Sequence, residues 1–502
     1  MSTKISNSLN LNRTVRDPLH GAIHLSDEEI RIIDHRLFRR LHKIRQNGLL
    51  YLVFPSAHHT RFEHSLGTLH NANSIFNSLL FNSSVADTKP TCAIYDNPQN
   101  GKAFDLNNID ETLLKKALRL LRFSALVHDL GHGPLSHTFD SFSPFREKVI
   151  EIIEQDSKYL ELKKLIPLLK KNRKERIEHE EMSCILFSVI WHEIKDDTDS
   201  EEIPFLVASI LLNHELGKEH SNLAPFISLL NNIVASAPVD ADRMDYIERD
   251  SKSIGVSYGM FDRERLLKSF LPYATTSSNG NLNYRLGIKK SGVRAVENFI
   301  QARFELFVQV YYHKTNRAIE LMLSEIATNA KDKQINIFKL NSVDDLCNAY
   351  LDLSDESFLN ILNGNNEIIN ENSITKIARS ISTRNLWKRI FEEKKKTTDD
   401  VYDELSKQFS DYDLIVRTIE AKATKGLENG AQLLIRGEDG KYQTYGNADW
   451  FNYSPMMEAL ANEEEGITRI YLKSNDKDAS KKLRVEARKI DFNLKAKANE
   501  IN

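Results

Sequence analysis

The chain has 502 residues, 41% hydrophobic and 28% charged, a balance that suits a folded globular protein and excludes a disordered or fibrous one. At roughly 150 residues per domain, this length predicts two to three domains, or one large domain with appendages. The formal net charge of -3 excludes a chain-wide electrostatic grip on nucleic acid, so any anion site must be local and concentrated.

From the N-terminus, the polar start Met1 to Arg13 lacks the apolar core of a signal peptide, and no apolar run approaches the ~20 residues that span a bilayer. Cys92, Cys184 and Cys347 show no C-x-x-C or finger spacing, which predicts neither disulfides nor structural zinc. A cytoplasmic protein without a membrane segment is expected. The Asn/Pro/Gly stretch Asn82 to Asn108 reads as a surface insertion. Asp110 then stands as N-cap before Leu113, Leu114, Ala117, Leu118, Leu120 and Leu121, which recur with helical spacing. The same period predicts helices in 202–214, 224–237, 293–329 and 374–392, separated by the polar segments Lys195 to Glu202 and Asn363 to Ser373. Near the C-terminus, Gln432 to Arg436, Lys441 to Tyr445 and Ile467 to Lys473 read as short strands, and the charged segment Glu392 to Asp400 as a hinge. The fold class expected is mainly α with a small C-terminal antiparallel β element.

Chemistry concentrates where the Leu-rich helix ends, at His128-Asp-Leu-Gly131-His132-Gly-Pro134-Leu-Ser-His137. A vicinal His-Asp offers one imidazole nitrogen and one carboxylate oxygen to the same divalent cation. Such a pair alone is usually an ordinary surface or hydrogen-bonded pair. Upstream, Arg61-Phe-Glu-His64 adds a third donor at a helix start, and downstream Asp240-Ala-Asp242-Arg243-Met-Asp245-Tyr246 adds a fourth. On a helix Asp242, Tyr246 and Asp250 share one face by their four-residue spacing.

These pieces resemble the HD phosphohydrolase superfamily. Arg16-Asp-Pro-Leu-His-Gly21, Ile33-Asp34, Phe38-Arg39-Arg40-Leu41, Val53-Phe54-Pro55 and Arg61 to Gly67 precede the His128 and Asp240 motifs in the order found in the deoxynucleotide triphosphohydrolases. The resemblance covers roughly the first two thirds of the chain and resumes at the C-terminal strand. It implies an HD-domain helical fold with a catalytic domain over 1–345, a helical extension over 346–430 and a C-terminal α+β regulatory or oligomerisation region over 431–502. It also implies metal-dependent cleavage of dNTPs to deoxynucleoside and inorganic triphosphate, activated by nucleotide, in dNTP pool control or antiphage defence.

The same resemblance assigns His64, His128, Asp129 and Asp242 to one divalent metal (Mn, Mg, Fe or Zn), in a catalytic site that keeps open positions. His132, His137 and His179 match the second histidine cluster, with His137 as the acid that protonates the leaving oxygen and the others orienting it or binding phosphate. Arg61, Arg243 and Arg303 match phosphate contacts, Arg243 replacing the lysine of the mammalian members. Tyr246 and Asp250 resemble the residues that hold the sugar, Gln46 the one at the 3′ hydroxyl, and Tyr311 the ring that clashes with a 2′ hydroxyl. Tyr312 and Phe307 replace a glutamine and a histidine, so the base preference stays open. The aromatics Phe299, Phe304 and Phe307 read as core packing.

On the strand Ile467 to Lys473, Arg469, Tyr471 and Lys473 alternate onto one face, opposite Ile470 and Leu472. They resemble a regulatory nucleotide site together with Asp34, Arg39 and His42, the last two departing from the family's Gln and Arg. Val53, Phe54, Arg265, His313 and Lys314 align with a neighbouring activator pocket. In the family these sites lie between subunits, which implies a homo-tetramer or homo-hexamer. Nucleic acid is a possible partner that nothing indicates. Alternatives are an HD phosphodiesterase acting on a cyclic or signalling nucleotide, and a nucleotide-sensing or nucleic-acid-binding regulator with a vestigial site.

Overall fold

The computed structural model describes residues 9–85, 105–197, 200–235, 239–276, 280–288, 290–365, 369, 372–419 and 467–501, and the short strands 92–93, 102–103, 434–436 and 442–444. An antiparallel hairpin, Arg13–Asp17 with Gly21–Leu25, opens the chain in the register Asp17 to Gly21 and Arg13 to Leu25. Gly21 takes a φ of 75°, the left-handed conformation that glycine adopts without steric cost. The body is helical. The long helix Arg61–Val85 packs against Glu111–Val127 and Ala241–Ile254, and His179–Ile194 closes over the end of Glu111–Val127. The mainly α fold is present as expected, and no described helix is long and apolar enough to cross a membrane.

Local chemistry sets the helix starts. Asp110 and Asp240 each accept a backbone N–H three residues on, from Leu113 and Arg243, satisfying donors that a helix N-terminus leaves open. Gly255, at a φ of 77°, ends the Asp240-capped helix in a left-handed turn. The period expected over 293–329 is broken: Val293–Leu306 passes through a π-turn at Phe307–Tyr311 before Lys314–Asp332 begins. The period expected over 374–392 stops at Ser382, and Lys388–Lys394 is a strand.

Two hydrophobic cores form. The larger runs from Ile23 to Trp387 and takes in Tyr471, whereas the smaller joins Ile390, Phe391, Val401, Leu405, Leu414, Ile470, Leu472, Leu483, Ala487 and Ile490. Its antiparallel sheet has the order 388–394, 467–472, 414–419, covered by the helices Lys395–Gln408 and Lys477–Ile501. The border between the two cores falls near residue 388. Glu392 to Asp400, expected as a hinge, is the end of one strand and the start of the following helix. Strand spacing hides inside a helical period when the run is short and charged, and only the partner strands decide it.

Arg122 ties the hairpin to three helices. The residue is 1% exposed, and its guanidinium donates to both Glu29 oxygens at 2.7 and 2.8 Å, to Asn73 Oδ1 and to the His24 carbonyl. Arg122→Met strands the buried Glu29 carboxylate, and we expect a loss of about 3–5 kcal/mol in urea unfolding. A loss below about 1 kcal/mol would show that this pair does not hold the hairpin to the body.

Candidate metal centre

His64 sits in the first turn of Arg61–Val85 with no solvent exposure. Its Nδ1 lies 2.9 Å from Asp245 Oδ2, and because a carboxylate only accepts, Nδ1 carries the proton and the Nε2 lone pair faces away. His128, the residue after Val127, repeats the device with its Nδ1 2.9 Å from the Ala125 carbonyl. Both Nε2 atoms are buried and find no hydrogen-bond partner among the described residues.

They face two carboxylates. His64 Nε2 is 3.0 Å from Asp242 Oδ1 and 3.6 Å from Asp129 Oδ2, and His128 Nε2 is 3.5 Å from Asp129 Oδ1 and 3.8 Å from Asp242 Oδ1. One donor atom each from His64, His128 and Asp129 lies within 4.8 Å of the others. Two oriented imidazole lone pairs meeting two carboxylates suit a borderline divalent ion, with the outer hydrogen bonds fixing each ring. The residues present fit the group.

Electrostatics agree with the geometry. Burial alone would lower the His64 pKa, but the Asp242 and Asp245 carboxylates overcome it and raise it to about 10. His128 is raised against the same burial by Asp129 and Asp242. Burial works to raise Asp129, while Arg61, His128 and His64 hold it at about 2. Asp242 is held low by the two histidines despite its burial. Without metal, His64 keeps a proton at neutral pH that a cation must displace.

Close packing places these groups. A Cβ on Gly67 would overlap the Asp245 carboxylate, and one on Gly131 would overlap the His179 carbonyl and the Ser183 amide. The Gly131 N–H donates to Ser183 Oγ at 2.7 Å, and that hydroxyl donates to the His128 carbonyl at 2.8 Å. Arg40, part of the Phe38 to Leu41 motif but given no role there, donates to the Leu130 and His132 carbonyls and so clamps the same loop. Leu135 and Ser136 take φ of 54° and 52°, a strained left-handed pair anchored where Asp355 accepts the Leu135 N–H.

Around the centre, the His132 and His179 rings stack with centroids 3.8 Å apart, and His132 Nε2 is 3.4 Å from Asp129 Oδ1. The side chain of His137 lies outside the described residues. Arg61 pairs with Asp129 and donates to Ser136 Oγ at 3.1 Å. Arg243 pairs with Asp240. The four-residue spacing carries Asp242, Tyr246 and Asp250 along one wall: Arg303 Nε donates to the Tyr246 hydroxyl at 3.4 Å, and Tyr311 donates to Asp250. His59 and Asn47, which the sequence did not single out, also hold Asp250, at 2.6 and 2.8 Å. Gln46 Oε1 is buried without a hydrogen-bond partner among the described residues.

The residues expected at a regulatory site are dispersed over the chain. Asp34, Arg39 and His42 are exposed, with His42 stacked on Phe62 at 3.6 Å. The Phe54 and His313 rings meet at 6.1 Å, Val53 packs on the main core, and Arg265 donates to the Ser291 carbonyl. The strand of Arg469 is the central one of its sheet, so both its edges are paired, and residues 468–472 are all buried, unlike the half-buried face expected. Arg469 pairs with Glu392 and donates to the Tyr312 carbonyl at 2.6 Å, Tyr471 donates to the Lys314 carbonyl, and Lys473 pairs with Glu325 at 2.7 Å. Cys184 and Cys347 are buried free thiols.

His128→Ala and Asp129→Ala should each purify without stoichiometric divalent metal, because losing one ligand of four breaks such a site. Metal uptake by the unmodified chain should release protons at neutral pH and weaken as pH falls, since His64 must shed a proton held up to about 10. Calorimetry in buffers of differing ionisation enthalpy reads that release; equal heats in all of them would contradict it.

Residues 262–423 match the model of the HD associated region. The chain is 30% identical over 335 residues, 66% of its length, to an uncharacterized protein of Methanocaldococcus jannaschii, of which it covers 53%. It is 30% identical over 320 residues to the uncharacterized protein YwfO of Bacillus subtilis, covering 64% of this chain and 56% of that one. It is 28% identical over 392 residues to the deoxynucleoside triphosphate triphosphohydrolase SAMHD1 of Bos taurus, covering 76% and 59%. The chain thus spans somewhat over half the length of these curated relatives. A crystal structure of a hypothetical protein from Aquifex aeolicus superposes with a TM-score of 0.61 at 23% identity over 94% of this chain and 99% of that one, which shows a shared fold. With its histidines and aspartates converging at the end of the Leu-rich helix, and with these relatives, the chain is similar to HD-domain proteins, among them a deoxynucleoside triphosphate triphosphohydrolase.

Proposed function

We propose that the chain is a divalent-metal-dependent phosphohydrolase that cleaves deoxynucleoside triphosphates to the deoxynucleoside and inorganic triphosphate. The observation that carries this reading is the convergence of the buried Nε2 atoms of His64 and His128 on Asp129 and Asp242. Arg61 lies beside that centre, and a wall formed by Tyr246, Asp250 and Tyr311 continues from it. When bound, the ion supplies Lewis acidity at the α-phosphate and a water of lowered pKa.

The chain's own residues do the rest. Arg61, Arg243 and Arg303 bind the phosphates, exchanging their present partners for oxygens that a guanidinium holds bidentately. His137 gives a proton to the departing 5′ oxygen, while His132 and His179 orient it or bind phosphate. The Tyr311 ring, anchored by Asp250, lies under the sugar and excludes a 2′ hydroxyl. Gln46 Oε1, buried and open, accepts from the 3′ hydroxyl.

We further propose nucleotide activation in a homo-oligomer, with a role in dNTP pool control or antiphage defence. The support is a short mechanical link: the C-terminal strand grips the backbone of residues 312–314 through Arg469 and Tyr471, directly after Tyr311.

Each dNTP incubated with Mn²⁺ or Mg²⁺, alone and in mixtures, should yield inorganic triphosphate, with mixtures raising both rate and mass by light scattering. Pyrophosphate or orthophosphate as the product, or hydrolysis confined to a cyclic nucleotide, would overturn the reaction class. His137→Ala should keep metal and substrate binding while kcat falls about 10²–10⁴-fold. A change in KM alone would make His137 a binding residue.

A further inference from the structure

The Asp-Pro-Leu-His turn of the first hairpin reaches the back of the metal centre. Asp17 Oδ1 accepts the N–H groups of Leu19 and His20, both at 2.8 Å, and so fixes the turn that carries the His20 ring. That ring has no solvent exposure, and its Nε2 lies 2.7 Å from Asp245 Oδ1. Its Nδ1 is 2.8 Å from Arg263 Nη1, which can only donate. Nδ1 is therefore the acceptor and Nε2 carries the proton. The His70 ring stacks on it at 4.7 Å and holds its plane.

A carboxylate offers about four in-plane lone pairs. On Asp245 all four are engaged by donors: His64 Nδ1 at 2.9 Å and Arg249 Nε at 2.7 Å on Oδ2, and His20 Nε2 at 2.7 Å and Arg249 Nη2 at 3.0 Å on Oδ1. The carboxylate cannot rotate without breaking one of them. Arg249 is in turn anchored on Asp17 Oδ2 at 2.9 Å, so the two donors on the Oδ1 side both trace back to the same hairpin residue.

We infer that His20 is a positioning residue for the metal ligand His64, acting through Asp245, and that Arg263 fixes its tautomer. The chain of donors runs Arg263 to His20 to Asp245, where it meets the proton of His64 Nδ1 and turns the His64 Nε2 lone pair toward Asp129 and Asp242. Arg263 also donates to Asn71 and pairs with Glu248 at 3.3 Å, so the helix Arg263–Leu267 is built into the back of the centre. This inference rests on the metal-centre reading above.

The test is titration of the full-length metal-free protein with Co²⁺, followed by its visible absorption, on variants whose fold is checked by circular dichroism. His20→Ala should bind Co²⁺ about 10–100-fold more weakly, the usual cost of losing an outer partner. His20→Gln, whose Nε2 still donates to Asp245, should recover most of the affinity. Arg263→Met should weaken binding in the natural background and add nothing to His20→Ala, because both act through one carboxylate. Binding within twofold of the natural chain in His20→Ala, or equal loss in the Ala and Gln variants, would overturn the inference while leaving the metal centre in place. No stoichiometric Co²⁺ in the natural chain would overturn both.

Discussion

Two imidazoles and two carboxylates cannot be brought out of water to one point unless something fixes their orientation and balances their charge. At effective protein dielectrics, an uncompensated buried charge costs several kcal/mol. Here each imidazole is turned by a hydrogen bond on its far side, from Nδ1 to Asp245 or to the Ala125 carbonyl, so both Nε2 atoms point inward. The helical body is arranged around this constraint. The start of one helix, the end of a second and the start of a third each deliver one part of the centre, and irregular backbone beyond the second delivers Asp129.

That arrangement demands closer approaches than ordinary helix packing. Gly67 lets the helix of His64 pass the Asp245 carboxylate, and Gly131 lets the loop after Asp129 lie on the start of the His179 helix. The loop is then pinned from three sides by Arg40, Ser183 and Asp355. The strained Leu135 and Ser136 conformations persist because these anchors over-determine the turn. Strain of this kind clusters where geometry must be held for chemistry rather than for stability.

The π-turn at Phe307–Tyr311 is a second irregularity with a structural consequence. Its hydrogen bonds span one residue more than those of the α-helix, Tyr311 meets Asp250, and the following backbone at Tyr312 and Lys314 is held by the C-terminal sheet. The small core near the C-terminus is therefore mechanically joined to the wall that ends in Tyr311, through two hydrogen bonds to backbone carbonyls.

The sequence alone determined what local spacing and chemistry determine. Asp110 and Asp240 are helix caps, the leucine period after Asp110 is a helix, and the four-residue spacing aligns Asp242, Tyr246 and Asp250, because these properties depend on neighbours within one or two turns. His64, His128, Asp129 and Asp242 were legible as metal-ligating types in an order that resembles a family. What only the tertiary structure decided lies in long-range contacts. Glu392 to Asp400 became strand and helix, and Arg469 became buried on a central strand, because partner strands far along the chain cover them. The roles of Asp245, Arg249, His20 and Arg40 were invisible for the same reason. A carboxylate's lone pairs are filled by whichever donors folding brings within 3 Å, and here those donors come from residues up to 225 positions away.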